Sequence, residues 1–295
     1  MSNVSYKWHG KLTPWLFIFP TLVGLIIFRC IPIVSAFCLS FTDWNLLSSP
    51  VFTGIANYAE LFGDPSFWRI VLNTFQFSLI FVCGGMVFGL LLAVLINVAL
   101  HGISFLRALI YLPVVTSSVA VGIIWNWMLG PNFGIISQII TKLGMEPPYF
   151  LTDPKIALTS VALVQVWKMS GYYMILFLAG LQNIPTEVLV SAYCDGAGHV
   201  KAFFKITLPM LRPTVFFVLT VALIDSFKNF ELIYAMTKGG PGISSTTLVY
   251  DVFLNAFQYY RVGFASAVSY ILLFCVGMLT LFNFWIRKRF AQPID

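Results

Sequence analysis

Six long apolar runs dominate the chain, over residues 14–40, 70–99, 107–129, 156–181, 213–236 and 263–286. A bilayer core of about 30 Å needs ~20 mostly apolar residues in a helix, and every run meets that length. The runs are continuous and do not alternate with period two, so they predict helices and not the short strands of a membrane barrel. Polar, turn-rich stretches separate them. Residues 41–69 carry Asp43, Trp44, Asn45, Pro50, Gly54, Asn57 and Tyr58; residues 130–155 carry Gly130-Pro131, Gly134, Gly144 and Pro147-Pro148 and predict an interfacial turn-and-helix segment. Trp125 and Trp127, near the end of the third run, are expected to anchor at the membrane interface. Gly85-x-x-x-Gly89 in the second run allows a close helix approach.

Composition agrees with lipid as the main solvent. Hydrophobic residues make up 59% of the 295-residue chain and charged residues 9%, against roughly a quarter charged in soluble domains. Such a surface cannot cover a water-soluble globule, and the length leaves no room for six spans plus a large soluble domain. The apolar run from Leu12 to Phe41 far exceeds the ~7–15 residues of a secretory signal core, so it is read as an uncleaved span. Cys30, Cys38, Cys83, Cys194 and Cys275 are scattered, odd in number and without disulfide or metal spacing. His9, His101 and His199 form no catalytic cluster, which weighs against a membrane enzyme. A phosphate loop of the form G-x-x-x-x-G-K-[ST] is absent, so ATP-driven work needs a separate ATPase.

The placement of charge says more than the net +6. With the N-terminus inside, Lys7, Lys11, Arg107, Lys201, Lys205, Arg212, Arg287, Lys288 and Arg289 face inward. Arg69, Lys142, Lys155, Lys238 and Arg261 face outward. That bias puts both termini in the cytoplasm and speaks for membrane orientation, not nucleic-acid binding. Arg29, Lys168 and Lys228 lie within spans, where a charge is costly and faces a cavity or a partner. The fifth run places Asp225, Lys228 and Glu231 at i, i+3 and i+6, near one helix face, with Ser226 and Asn229 beside them. The fourth carries Gln165, Lys168, Tyr172 and Tyr173. The third has Thr116, Ser117 and Ser118 after Pro113, a point of local helix disruption. Such residues can line a solute path or hydrogen-bond helices together, and spacing alone leaves both readings open.

The inner stretch between the fourth and fifth runs is the most informative. Thr186 is placed as a helix N-cap, bounded by Pro185, with Glu187 favourable in the first turn. Val188, Leu189, Ala192 and Tyr193 form an apolar face. Gly196 and Gly198 let the chain leave the helix, and Pro209 and Pro213 punctuate the return to the membrane. The expected result is a short amphipathic helix on the cytoplasmic face, either displayed to a partner or packed on its own bundle.

This stretch resembles the cytoplasmic E-A-A loop of ABC importer permeases. The carbohydrate branch reads I-P-x-E-L-Y-E-A-A-x-I-D-G-A, then F-x-x-I-x-L-P. The chain matches at Ile184, Pro185, Glu187, Ala192, Asp195, Gly196, Ala197, Phe203, Ile206, Leu208 and Pro209. It departs at E-A-A itself, where Val190, Ser191 and Ala192 stand. Leu232 to Pro241 resembles the family's I-Y-x-L-T-x-G-G-P, and Ala256-Phe257 with Gly263 to Ala267 resembles its A-F and G-y-A-s-A. Phe52 to Tyr58, with Asn73-Thr74, is similar to F-x-G-L-x-N-Y and the later N-T. Nearly the whole chain is covered, and the maltose and glycerol-phosphate permease branch fits better than amino-acid or metal permeases.

The resemblance implies an all-α membrane protein with six transmembrane helices in the type I ABC importer permease fold. A spanning domain over 14–286 holds a coupling loop at 182–212 and is flanked by cytoplasmic tails, 1–13 and 287–295. It implies a bacterial inner-membrane location and a non-enzymatic role in ATP-driven sugar import. The partners are a second permease, two ATP-binding subunits, an extracytoplasmic solute-binding protein and membrane lipid. ATP and magnesium belong to the partner ATPase, with no cofactor in this chain. Coupling to the ATPase falls to Glu187, Ala192, Asp195, Gly196 and Ala197. The sugar path falls to Ser118, Gln165, Tyr172, Ser226 and Asn229. Two other readings stay open: an ABC permease for a glycerol phosphate or polyamine, with Lys168 or the carboxylates of Asp225 and Glu231 meeting the charge, and a secondary transporter, for which inverted repeats or a proton relay are expected.

Overall fold

Helices account for nearly every apolar run in the computed structural model, which describes residues 13–98 and 102–290. The expected N-terminal tail, with Lys7, His9 and Lys11, lies outside the described residues except for Thr13, as do His101 and residues 291–295. Helices Pro14–Leu39, Pro65–Ile96, Ala157–Gln182 and Val262–Lys288 are each long and apolar enough to cross a membrane. Two bent pairs bring the number to six if each pair is one span.

The chain forms two compact units: Met1–Gly63 with Val252–Tyr270, and Asp64–Asp251 with Ile271–Asp295. In the first, α1 (Thr13–Leu25), a π turn (Ile26–Cys30) and α2 (Ile31–Leu39) make one continuous span. A small antiparallel pair follows, β1 (Thr42–Asp43) on β2 (Val51–Phe52), with Thr42 opposite Phe52. Asn45 Oδ1 closes the intervening turn by accepting from the Leu47 and Ser48 N–H groups, the local bond for which Asn is favoured in turns. In α3 (Ala56–Gly63), the Asn57 amide donates to the Ser40 and Thr42 carbonyls at 2.9 Å each. The Tyr58 hydroxyl donates to Ser40 Oγ at 2.8 Å. Arg261 grips the Glu60 carboxylate at 2.6 and 2.8 Å and lies 4.3 Å over the Phe264 ring.

The second unit is built on α4 (Pro65–Ile96). Asp64 caps it, accepting from the Ser66 N–H at 2.8 Å, and Pro65 fits the first helical position, where no N–H is needed. This start precedes residue 70 of the second apolar run, because capping and not hydropathy sets it. Helix α5 is Ile103–Val115, α6 is Ser118–Met128 and α7 is Ile135–Lys142; the last is the helix expected between residues 130 and 155. Helix α8 (Ala157–Gln182) lies along α4. Gly85 and Gly89 allow that approach: a Cβ on either would meet the Tyr173 side chain at 2.8 or 2.7 Å. Phe77, Phe81, Tyr173, Met174 and Phe177 fill the seam and are fully buried. Of the two tryptophans expected as interfacial anchors, Trp125 sets its ring edge-on to Trp167 at 5.2 Å and Trp127 is exposed.

One expected disruption is found, and one expectation of an unbroken span is corrected. The third run bends by 93° between α5 and α6, at the disruption expected at Thr116 and Ser117, both with extended backbone. The fifth run is also interrupted: α12 spans Arg212–Phe227, and a separate α13 covers Glu231–Met236. Glu231 therefore does not continue the face of Asp225 and Lys228 on one helix. Lys228 and Asn229 end α12 where Asn, a weak helix former, competes for backbone bonds. Beyond α13, α14 (Leu248–Phe253) and a π turn (Leu254–Gln258) lead to α15 (Val262–Phe290). Residues 287–290 are thus helical.

Candidate substrate path and coupling loop

The loop between α8 and α12 folds as expected in outline. Helix α9 (Thr186–Cys194) starts after Pro185, so Thr186 is the first helical residue and not the cap. Its end is a double closure. The Ala197 N–H donates to the Ala192 carbonyl at 2.9 Å, the Gly196 N–H to the Tyr193 carbonyl at 3.0 Å, and Gly196 has φ +79°. This is the Schellman arrangement, which needs a left-handed residue that glycine adopts without strain. Gly198 has ordinary negative φ and heads α10 (His199–Ala202). A π turn (Phe203–Thr207) and α11 (Leu208–Met210) follow, and the chain bends by 67° into α12, where Pro213 stands at the helix start.

Of the expected apolar face, Ala192 is buried and Leu189 half-buried, but Val188 and Tyr193 are exposed. Val190, in place of the E-A-A glutamate, is 58% exposed. The Ser191 hydroxyl turns back to the Glu187 carbonyl at 2.9 Å. Glu187, Asp195 and Gly196 are exposed and Ala197 is half-buried. The loop therefore rests on its own chain through one edge and presents the remainder outward. Tyr193 leans on His199 of α10, ring centroids 5.1 Å apart.

The five path residues sit at three places in the second unit. Ser118 opens α6 directly after the bend and is half-buried. Gln165 and Tyr172 lie two turns apart on α8, both half-buried. Ser226 and Asn229 are buried at the interruption of the fifth run. The Ser226 hydroxyl is spent on its own helix, donating to the Leu223 carbonyl at 2.7 Å. Gln165 Oε1 and Asn229 Nδ2 are buried and unpaired, an open acceptor and an open donor where unmet polar groups are costly. Cavities of about 270, 510 and 210 Å³ occur in this unit, and none is lined by these five residues.

Other polar residues have positions that the sequence pattern did not reveal. The buried Asn73 amide donates to the Ile243 and Thr246 carbonyls at 2.8 and 3.1 Å. Thr74 Oγ1 accepts from the Leu248 N–H at 2.9 Å. The N-T pair of the second span thus clamps the loop that follows Gly239-Gly240-Pro241. Asn126 donates to the Met236 carbonyl at 2.6 Å, tying α6 to the end of α13. Lys168, 5% exposed, donates to the Val114 carbonyl at 3.3 Å. The Asn73–Thr74 and Asn126 ties join groups more than 100 residues apart, and of these only the N-T pair was available as a signal, as motif letters.

Comparison with known proteins places this geometry. Residues 85–294 match the family described as binding-protein-dependent transport system inner membrane component. A probable ABC transporter permease protein of Bacillus subtilis, YesP, is 38% identical over 93% of this chain and 90% of its own length. SmoG of Agrobacterium fabrum, named a sulfoquinovosyl glycerol transport system permease protein, is 32% identical over 91% of this chain and 87% of its own. A crystal structure of a bacterial ABC transporter involved in the import of the acidic polysaccharide alginate holds a chain that superposes with a TM-score of 0.83. That chain is 24% identical, over 95% of this chain and 96% of its own length, and supports the fold. This chain belongs to the binding-protein-dependent transport system inner membrane component family, whose members are membrane permeases of ABC importers and not enzymes.

Proposed function

We propose that this chain is one of two permease subunits of an ATP-driven sugar importer, with both termini and the α9–α11 loop in the cytoplasm. The observation that carries the reading is the exposed helix α9, closed at Asp195-Gly196 and displayed beside a membrane bundle. Glu187, Ala192, Asp195, Gly196 and Ala197 form the coupling element. Two ATP-binding subunits hold ATP and magnesium and grip this element. Their closure, passed through the 67° bend into α12, rocks the bundle between outward and inward access. A binding protein delivers the solute on the outer face.

A sugar is favoured by the name of the Agrobacterium relative and by the chemistry of the bends. Hydroxyls pair well with amide and hydroxyl groups, and sugar rings stack on aromatic faces. The open groups of Gln165 and Asn229, with Ser118 and the Tyr172 ring, are of the chemical types such a lining uses, although they border none of the three cavities in this arrangement. The first span buries none of its most apolar 18-residue stretch against this chain, and its exposed Arg29 suits a membrane-embedded partner, here the second permease.

The test is purification of the native complex, identification of the ligand on its binding protein, and reconstitution into vesicles. ATP-dependent accumulation of that sugar is expected, with Tyr172→Ala and Asn229→Ala each lowering uptake in fully assembled complexes. Solute movement by this chain alone without ATP contradicts the reading, and unchanged uptake kinetics in both variants removes the path assignment.

A further inference from the structure

An apolar groove between α4, α5 and α8 ends at a cation. It holds about 510 Å³, with Phe88, Leu92, Ile110, Pro113, Leu163 and Trp167 among its walls, and that volume lies within the ~300–1,000 Å³ of ligand sites. Each residue turns a helix by about 100°, so Leu163 and Trp167 stand on the side of α8 nearly opposite Gln165 and Tyr172. The groove is thus separate from the residues assigned to the sugar path. Phe88, Leu163 and Trp167 are exposed, and two of its three walls are long apolar spans. Phe88, Leu92 and Ile96 form one i, i+4 row along α4. The row rises about 12 Å, less than half of a ~30 Å hydrocarbon core. The Arg107 guanidinium closes the end of that row, donating to the Ile96 carbonyl at 3.1 Å, and Ile110 stands one turn further along α5. Among the described residues no carboxylate pairs with Arg107, and its Nε is buried without an acceptor. A guanidinium has five N–H donors, and its fork suits phosphate oxygens. A phospholipid of negative charge meets both halves of this site, the phosphate at the cation and an acyl chain on the apolar wall. An apolar protein helix laid on the same wall would leave the charge unmatched.

Resting on the importer reading above for its direction in the membrane, we infer that this groove binds one anionic phospholipid of the cytoplasmic leaflet, with its phosphate at Arg107 and one acyl chain between Leu92 and Trp167. The cytoplasmic leaflet is the one that carries anionic headgroups. The lipid braces the first half of the third span against the α4–α8 pair, on the face turned away from the solute.

The test reads Trp167 as a reporter in the purified complex, reconstituted into vesicles that contain a small fraction of lipid with brominated chains, which quench tryptophan on contact. The Trp167 signal is the difference between the parent complex and Trp167→Phe. Brominated phosphatidylglycerol is expected to occupy the site about fivefold more readily than brominated phosphatidylcholine, the weight of one basic residue toward anionic lipid. Arg107→Gln is expected to abolish that preference while quenching by phosphatidylcholine persists. Leu109→Phe, which adds bulk at the groove wall and leaves the Arg107 tie in place, is expected to lower quenching by phosphatidylglycerol; it keeps the test open should Arg107→Gln fail to assemble. Equal quenching by the two lipids overturns the site, since it marks ordinary solvation by the bilayer. Absence of quenching by either also overturns it, since it marks a groove covered by protein. An unchanged preference in Arg107→Gln removes Arg107 from the site and with it the proposal. These readouts need no transport, so a parent complex without ATP-dependent uptake would strike the importer reading and leave the lipid site to be decided by the quenching alone.

Discussion

Gly196 concentrates the coupling argument in one backbone angle. At φ +79° a side chain costs on the order of 1–3 kcal/mol, and the loss of the double closure would free the end of α9. Gly196→Val, and charge reversal by Asp195→Lys, are expected to cut sugar uptake at least ~10-fold, since about 1.4 kcal/mol suffices for that factor, while membrane abundance and ATP hydrolysis persist. Paired uptake and hydrolysis assays check this, and normal uptake in both variants removes the coupling role. Asn73 carries a different load. Asn73→Ala leaves the Ile243 and Thr246 carbonyls without their donor, a loss of about 1–3 kcal/mol that detergent melting should register as a lower transition temperature. The two residues also differ in how legible they were. The Asp195-Gly196 turn is local, so glycine chemistry and the motif pointed to the same place. Asn73 finds its partners some 170 residues away, and a sequence pattern carries no sign of that pairing.

At the scale of elements, hydropathy located the spans but not all their interruptions. The bend at Thr116 and Ser117 was readable, because Pro113 and three consecutive hydroxyl residues weaken a helix there. The break after Phe227 was hidden: apolar residues continue on both sides of Lys228 and Asn229, and a hydropathy window does not register whether the backbone stays helical. The close pairing of α4 with α8 was half legible. Gly85 and Gly89 announced a close approach, and the structure supplies Tyr173 and Met174 as what fills it. Gly89→Leu would force a side chain into Tyr173 Cβ and the backbone of Tyr173 and Met174, all less than 3.3 Å away, and overpacking of this kind costs typically 1–3 kcal/mol or more. A lower melting temperature of the purified complex is expected, and an unchanged one would show that the seam does not carry the bundle. The apolar face assigned to α9 is divided: Ala192 and Leu189 turn toward the chain itself while Val188 and Tyr193 stay exposed, and amphipathic spacing says that a face will be covered but not by which chain.

For the molecule as a whole, the proposed function joins a lipid-embedded bundle to a loop that receives mechanical work from another subunit. Its direction in the membrane rests on the nine inward against five outward basic residues counted along the sequence. Cys194 stands next to Asp195 on the exposed loop and is a free, exposed thiol. The most direct measurement therefore uses a variant in which Cys30, Cys38, Cys83 and Cys275 are replaced by alanine, leaving Cys194 as the sole thiol. Right-side-out and inside-out vesicles are treated with a membrane-impermeant maleimide. The account predicts labelling in inside-out vesicles alone, and protection when the ATP-binding subunits are added back. Labelling from the outer face would contradict it, because the helix could then never reach an ATPase.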